Sequence, residues 1–342
     1  MSPSSSQPSC EVQILNTLRD ANGKPVSGRL LGIELGISRA AVWKRVEGLR
    51  KSGYQVESYP RKGYVLVAEP DTPTAEAVSS FISRDVLADG LFAAKKIQFF
   101  TNLDSTNVYA GKIARDGALD GTVVVADCQS KGRGRLGRVW DSPSGVNLYF
   151  SLILRPLIEP RYAAQLTLLT GLALAETISV AGADDVEIKW PNDLLLGGKK
   201  VAGILTEMSV EENRVQFVVV GVGINVNVET SDLTPQIGKI AATLTGHLKK
   251  KVKRSAFLAD FLNRFLGWYR LYLAKGFAPI RSIWLERSRI KGRWVQVNLV
   301  DESFSGVAID LDVDGFLLVK RDDTDKEARV LAGDVLLLKK DC

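Results

Sequence analysis

The ten residues Lys131-Gly132-Arg133-Gly134-Arg135-Leu136-Gly137-Arg138-Val139-Trp140 hold four cations, three glycines and an aromatic side chain. Like charges this close repel, and glycine loses more backbone freedom on ordering than any other residue. Such a loop is expected to order on an anionic ligand, which the glycines let backbone N–H groups approach closely. The glycines also fit the G-x-G-x-x-G pattern, but that fingerprint opens a helix whose N-terminus receives a pyrophosphate. Here Asp141-Ser142-Pro143-Ser144-Gly145 follows, which cannot begin a helix. A solvated basic loop is the competing reading.

Further polar clusters punctuate the apolar runs: Asp104-Ser105-Thr106-Asn107, Gln129, Lys189-Trp190-Pro191-Asn192-Asp193, Lys199-Lys200 and Gly223-Ile224-Asn225. Each sits at the end of a predicted strand, so they are expected to converge on one pocket. Ser, Thr and Asn suit a small neutral polar group such as an amide or urea. Lys and Arg suit a polyphosphate. Gly203 removes a side chain from a strand, as a closely approaching ligand requires. His247 is the one histidine, which excludes a His-cluster metal site. Cys10, Cys128 and Cys342 have no metal or redox spacing and read as reduced thiols. The chemistry must therefore run on charge stabilisation by Lys and Arg.

The elements that position these groups follow from pattern. Of the net charge of +6, residues 11–67 contribute ten Lys/Arg against five Asp/Glu, and the remainder is near neutral. A basic unit of that size is the footprint of a nucleic-acid binder. Val12, Ile14, Leu15 and Leu18 predict a first helix. Ser27 caps a second with Leu30, Leu31 and Leu35 on its apolar face. Ser38 caps a third, Arg39 to Lys51, buried along Val42, Val46 and Leu49. Two strands, 55–59 and 63–67, flank Pro60-Arg61-Lys62 and form a basic-tipped wing. The set reads as a winged helix-turn-helix, with Ser38, Arg39, Trp43, Lys44, Arg45, Arg61 and Lys62 facing DNA.

Ala68 to Thr74 is a Pro-containing linker, followed by an amphipathic helix through Phe81 and Ile82. Strands are predicted near 97–100, 122–126, 148–154, 186–189, 194–196, 201–208 and 214–224. Helices are predicted at 108–116, 162–180 and 256–272. This is an α+β multidomain chain with a mixed sheet flanked by helices. Short strands beyond Gly292 predict a small β-barrel. The expected domains are 1–68, 69–288 and 289–342. With 45% hydrophobic residues, no apolar run near ~20 residues and no apolar leader in the polar opening, a cytoplasmic protein without a membrane partner is expected.

The Gly/Arg loop and Lys189-Trp190-Pro191-Asn192-Asp193, in order and spacing with Ser105-Thr106-Asn107, resemble the bifunctional biotin–protein ligase/biotin-operon repressor family over nearly the whole chain. The resemblance implies a class II synthetase-like α/β ligase domain and a C-terminal SH3-like barrel. It implies ATP, biotin and Mg2+ as cofactors, a biotin carboxyl carrier protein and operator DNA as partners, and a homodimer when the adenylate is bound. Ser105, Thr106, Asn107, Gln129, Gly132, Gly134 and the loop arginines would hold biotin, and Lys200 its reacting carboxylate. Arg133, Arg135, Arg138, Trp140, Lys189, Asn192, Asp193 and Asn225 would surround the adenylate, with Trp140 on the adenine and Asp193 on the ribose or magnesium. Arg133, Lys200 and Lys189 would be catalytic. Leu136 departs from relatives that carry arginine there. A lipoate–protein ligase and a ligand-sensing regulator without turnover remain the alternatives.

Overall fold

The computed structural model of the chain describes residues 9–229, 231, 235–299, 301–331 and 333–338. The opening prolines Pro3 and Pro8 and the thiol of Cys342 lie outside these residues.

The N-terminal unit is built from α1 (Cys10–Asp20), α2 (Gly28–Leu35), α3 (Arg39–Lys51) and the hairpin β1 (Gln55–Tyr59) and β2 (Gly63–Ala68). Serines start all three helices. Ser9, Ser27 and Ser38 accept from the amides of Val12, Leu30 and Ala41, which satisfies donors that a helix start leaves unpaired. Val12, Ile14, Leu15, Leu18, Leu31, Val42, Val46 and Leu49 are buried. Leu30, expected on the apolar face of α2, is exposed; Gly28 and Gly32 are buried in its stead. A Cβ on Gly32 would lie 2.8 Å from the Ile37 carbonyl, so close packing of the turn took the face that leucine was expected to fill. An isolated bridge from Val26 to Tyr64 ties the wing to the start of α2.

After the linker come α4 (Ala75–Ser79) and α5 (Arg84–Asp89). The single helix expected through Phe81 and Ile82 is thus broken. The Ser83 hydroxyl accepts from the Val86 amide and restarts the chain in a new helix. The central sheet follows: β3 (Ile97–Leu103), α6 (Thr106–Arg115), β4 (Thr122–Gln129), β5 (Leu148–Leu154), α7 (Ala163–Val180), β6 (Glu187–Lys189), β7 (Asp193–Leu196), β8 (Lys199–Glu211) and β9 (Arg214–Ile224). Its order is β3-β4-β5-β9-β8-β7-β6, with β3 and β4 parallel and every other neighbouring pair antiparallel. Then come α8 (Pro235–Ile240), α9 (Leu244–Leu248), α10 (Arg254–Lys275) and α11 (Ala278–Ser288). One face of the sheet is covered by α7 and α10, through Leu169, Leu172, Phe261 and Phe265, and the other by α6 through Ala110 and Ala114. The segment Pro160–Val180 is long and apolar enough to cross a membrane, contrary to the sequence expectation, but its 18-residue window is 72% buried as a core helix.

The last strands are β10 (Trp294–Asn298), β11 (Ser303–Leu311), β12 (Leu317–Arg321), β13 (Glu327–Val330) and β14 (Asp334–Leu337). They pair antiparallel in the order β13-β12-β11-β10-β14. This unit does not keep a core to itself. Val295, Val297, Ala308, Leu317 and Val335 belong to the same buried cluster as α7 and α10. The Trp190 indole donates to the Gly315 carbonyl at 3.2 Å, and Gln165 to the Val313 carbonyl at 3.1 Å.

Candidate functional site

The site begins with missing side chains. In the central sheet Gly203 of β8 pairs with Gly223 of β9, and Leu205 with Gly221. Ser151 of β5 pairs with Gly221 from the other side. Side chains alternate faces along a strand, so Gly203, Leu205 and Glu207 share one face, as do Gly221 and Gly223. That face is therefore bare in its middle. Above it lies a cavity lined by site residues of α6, β4, the Gly/Arg loop, β8 and β9. The sequence placed the polar clusters at strand ends. They do lie there, after Leu103 of β3, at Gln129 of β4, at Lys199-Lys200 of β8 and at Gly223 of β9, and the glycines on the sheet face give the cavity its room.

The polar wall is a connected network. The Gln129 side-chain oxygen accepts from the Thr106 amide at 2.8 Å, and its Nε2 donates to Ser142 Oγ at 2.9 Å. Ser151 Oγ lies 2.8 Å from Thr106 Oγ1 and 2.7 Å from Asn107 Oδ1. Asn107 Nδ2 donates to the Leu205 carbonyl at 3.0 Å and to Glu207 Oε2 at 2.9 Å. Both donors and the carbonyl of the Asn107 amide are thus spent on the protein. α6 starts at Thr106, and Ser105, its N-cap, makes no side-chain cap bond. The helix predicted from Val108 thus begins two residues earlier, with Thr106 and Asn107 in its first turn and in the network. Ser151 and Glu207 were missed from sequence. Glu207 was visible there as one charge inside the apolar run Val201-Ala202-Gly203-Ile204-Leu205-Thr206-Glu207-Met208.

The Gly/Arg loop is held by its own backbone bonds and by partners for its side chains. It turns back on itself: Gly134 N donates to the Arg138 carbonyl at 2.7 Å and Trp140 N to the Gly132 carbonyl at 3.0 Å. A Cβ on Gly132 would lie 2.1 Å from the Trp140 carbonyl, so this closure needs glycine. Each cation finds a partner: Lys131 with Asp104 at 3.3 Å, Arg133 with Glu207 at 3.2 Å, Arg135 with Asn192 Oδ1 at 3.0 Å, and Arg138 with Asp334 of β14. Burial lowers the pKa of Arg135, against the raising influence of Asp334 and Asp193.

Trp140 crosses the glycine floor. Cβ atoms on Gly223 and Gly203 would lie 2.6 and 3.0 Å from its ring. Its indole N–H is buried with no hydrogen-bond partner among the described residues. The space at Gly203, read as room for a ligand, is held here by Trp140. Lys200 Nζ lies 5.3 Å from the Trp140 ring centroid and 2.7 Å from Asp193 Oδ1. Asn192 stands in the turn between β6 and β7, donating to the Ile204 carbonyl at 2.9 Å. Ser105, Thr106, Asn107, Gln129, Arg133, Gly134, Arg135, Trp140, Asn192 and Lys200 line the cavity. Gly132, Arg138, Lys189, Asp193 and Asn225 do not. Asn225 is occupied with the Ala242 carbonyl at 3.1 Å, and Lys189 lies on the edge strand β6. Among the described residues no three His, Cys, Asp or Glu side chains cluster as metal ligands, and the Asp193 carboxylate is committed to Lys200. The donor set does not fit a protein-held magnesium ion, so the expectation for Asp193 finds no support.

On the N-terminal unit Arg39, Trp43, Lys44, Arg61 and Lys62 are exposed. Arg61 adopts a φ of 63° at the wing tip. Ser38 is spent as the cap of α3, and Arg45 is paired with Glu11 at 2.5 Å.

Residues 99–225 match the model of the Biotin/lipoate A/B protein ligase family, and residues 11–65 that of an HTH domain. The Bacillus subtilis bifunctional ligase/repressor BirA is 36% identical, covering 95% of this chain and 97% of its own length. The chain belongs to the bifunctional ligase/repressor BirA family. The Escherichia coli BirA is 34% identical over 88% of this chain and 90% of its own. The solved biotin protein ligase from Aquifex aeolicus, in complex with biotin and ATP, superposes with a TM-score of 0.59 at 29% identity, covering 71% of this chain and 99% of that one. Membership of the BirA family accounts for the pairing of a basic winged unit with a glycine-floored cavity in one chain.

Proposed function

We propose that this chain activates biotin with ATP as biotinyl-5'-AMP, transfers the biotinyl group to a lysine of a carboxyl carrier protein, and represses biotin genes by binding operator DNA when adenylate-bound. The observation that carries the reading is the convergence of Arg133, Arg135 and Lys200 on one cavity beside Ser105, Thr106 and Gln129. The polar wall suits a ureido ring, with the Ser105 hydroxyl left unspent by the helix cap. The cations suit a carboxylate and a phosphate.

The chemistry follows from the charges. A biotin carboxylate oxygen attacks the α-phosphorus of ATP, a P–O bond forms, the bridging P–O bond breaks and pyrophosphate leaves. Both reactants are anions, so their repulsion is the main barrier. Arg133 and Lys200, fixed on two different elements, lower it as charge develops. The mixed anhydride is then attacked at its carbonyl by the lysine amine, and AMP departs with the electron pair of the C–O bond. Trp140 would cover the adenine after leaving the glycine floor. Lys189 and Asn225 are kept as nucleotide-side residues that the bound state would have to bring closer. Magnesium would arrive with the nucleotide phosphates; no step is assigned to a protein-held ion. Residues 1–68, 69–288 and 289–342 are proposed as the DNA-binding, ligase and C-terminal domains, the last a closed SH3-like barrel. The active species on DNA is proposed to be a homodimer in the cytoplasm, because two winged units on a two-fold operator double the phosphate contacts of one.

Pyrophosphate release from ATP tests the ligase reading. Release should require biotin and should not occur with lipoate. Release with lipoate alone would make the chain a lipoate ligase, and release with neither would leave a ligand sensor. Sedimentation with and without biotin plus ATP tests the dimer, and an unchanged monomer fraction would refute it.

A further inference from the structure

Glu207 places a carboxylate against two residues that line the cavity, Arg133 and Asn107, although the proposed substrates are themselves anions. It stands on β8 on the same face as the floor residue Gly203. Its two oxygens reach two separate parts of the site. Oε1 pairs with Arg133 of the loop at 3.2 Å, and Oε2 accepts from Asn107 of α6 at 2.9 Å. From Asn107 the bonds run through Ser151 and Thr106 to Gln129 and Ser142, at the far end of the loop. Both ends of the loop are thereby tied to one network. Asn107 is buried, whereas the pair with Arg133 is open: the Arg133 and Glu207 side chains are 49% and 39% accessible. A partly exposed pair of this kind holds geometry at little energy and exchanges readily.

We infer that Glu207 is a resident counter-ion that holds Arg133 in place in the empty site and yields it to the carboxylate of the incoming substrate. Glu207 is then a positioning and specificity residue, acting through Arg133. It matches the charge of Arg133 before substrate binds. It also sets a threshold: an anion enters only by making a better pair with Arg133 than Glu207 does. A neutral compound of the same shape gains nothing from the exchange. This rests on the proposed reading of the cavity as a biotin site.

The test is calorimetric titration of the full chain with biotin, and in parallel with biotin carboxamide, which has the same rings and no charge. In Glu207→Gln the competing charge is gone. Biotin should bind about two- to fivefold more tightly, the exchange value of an exposed ion pair. The affinity for the carboxamide should stay within twofold. Glu207→Ala, which cannot make a mismatched amide contact, should show the same selective gain. On an Arg133→Ala background, Glu207→Gln should give no gain, because the partner it releases is absent. Weaker or unchanged biotin binding in both folded Glu207 variants would overturn the inference and leave Glu207 as scaffold. Equal gains for biotin and carboxamide would overturn it too, as a general loosening of the site. Absence of biotin binding by the wild type would overturn the proposed function itself, a result separable from either.

Discussion

Two regions of the molecule use the same chemistry, arginine against carboxylate, in opposite settings. At the junction of linker and ligase domain, Arg254 is 3% accessible and saturated. Its amide donates to Asp71 Oδ1 at 2.7 Å and Nε to Asp71 Oδ2 at 2.9 Å. Nη1 donates to Asp127 Oδ1 at 2.8 Å and the Asn147 carbonyl at 2.9 Å, and Nη2 to the Asp71 carbonyl. In the Gly/Arg loop, the side chains of Lys131, Arg133 and Arg138 are 78%, 49% and 65% accessible and have one acidic partner each. A buried pair stripped of one member leaves an uncompensated charge and costs several kcal/mol, whereas an exposed pair contributes little. The junction is built to stay; the loop is built to trade partners. The Pro-containing linker is thus anchored through Asp71, while the Gly/Arg loop rests on exposed, replaceable contacts.

The sharpest break of this comparison is Arg254→Ala. It removes the guanidinium shared by Asp71 and Asp127 and leaves the buried Asp127 carboxylate without its cation, which should cost about 3–5 kcal/mol of stability. Urea denaturation followed by tryptophan fluorescence measures this. A loss below about 1 kcal/mol, the value of an exposed pair, would show that the junction is no different from the loop.

In the loop the effect should move from stability to activity. Arg133→Ala and Lys200→Ala should each leave the unfolding free energy within about 1 kcal/mol of wild type. Each should lose about 2–4 kcal/mol of transition-state stabilisation in pyrophosphate release, as when one preorganised oxyanion donor is removed. A variant as active as wild type refutes its assignment. One destabilised like Arg254→Ala erases the distinction between the two regions.

That division of labour explains what the sequence could and could not tell. Arg133, Arg135, Lys200 and Asn192 were legible because each lies in a short motif whose residue types already name a chemistry. Gly203 was legible as a gap in a strand, but not that Gly223 lies opposite it or that Trp140 fills the space, since this depends on register and on where a loop folds back. Ser151 looks like any hydroxyl in an apolar run until register sets it opposite Gly221. Arg254 follows Lys249-Lys250-Lys251-Val252-Lys253 and reads as the end of a solvated basic stretch. Only the approach of Asp71 and Asp127, 183 and 127 residues away, makes it a buried hub. Helix starts were read well where a serine caps its own turn, and poorly where a side chain had a distant partner.

The junction should also show its own pH dependence. Glu69 of the linker is half-buried between Arg19 of α1, at 2.6 Å, and Lys253. Burial by itself would raise its pKa; hydrogen bonds from Arg19 and Lys253 outweigh it and hold the carboxylate below its ordinary value. A folded pKa below the unfolded one, about 4.3, contributes stability that is complete above that pH. It is lost as pH falls through the lower folded value. Acid titration should therefore loosen the contact of α1 with the linker before the ligase core. Proteolysis at 68–74 should rise below about pH 4.3, and Glu69→Gln should abolish that onset. An onset unchanged in Glu69→Gln would assign the pH dependence elsewhere.

The smallest effect belongs to cations that have no partner to trade. Arg39 and Lys44 stand exposed on α3 without an ion pair among the described residues, while Arg45 on the same helix is held by Glu11. A free cation that meets a phosphate releases about one counterion, and its removal lowers the salt slope of binding by about 1 at a cost of about 1 kcal/mol. Arg45 must first give up Glu11, so its net contribution to DNA should be smaller. Filter binding to operator DNA across salt concentrations should rank Arg39→Ala and Lys44→Ala above Arg45→Ala, all three with wild-type pyrophosphate release. If Arg45→Ala weakens DNA binding most, its pair with Glu11 is as exchangeable as the pair proposed between Arg133 and Glu207. The recognition helix would then follow the logic of the loop, with a carboxylate keeping an arginine in position until an anion claims it.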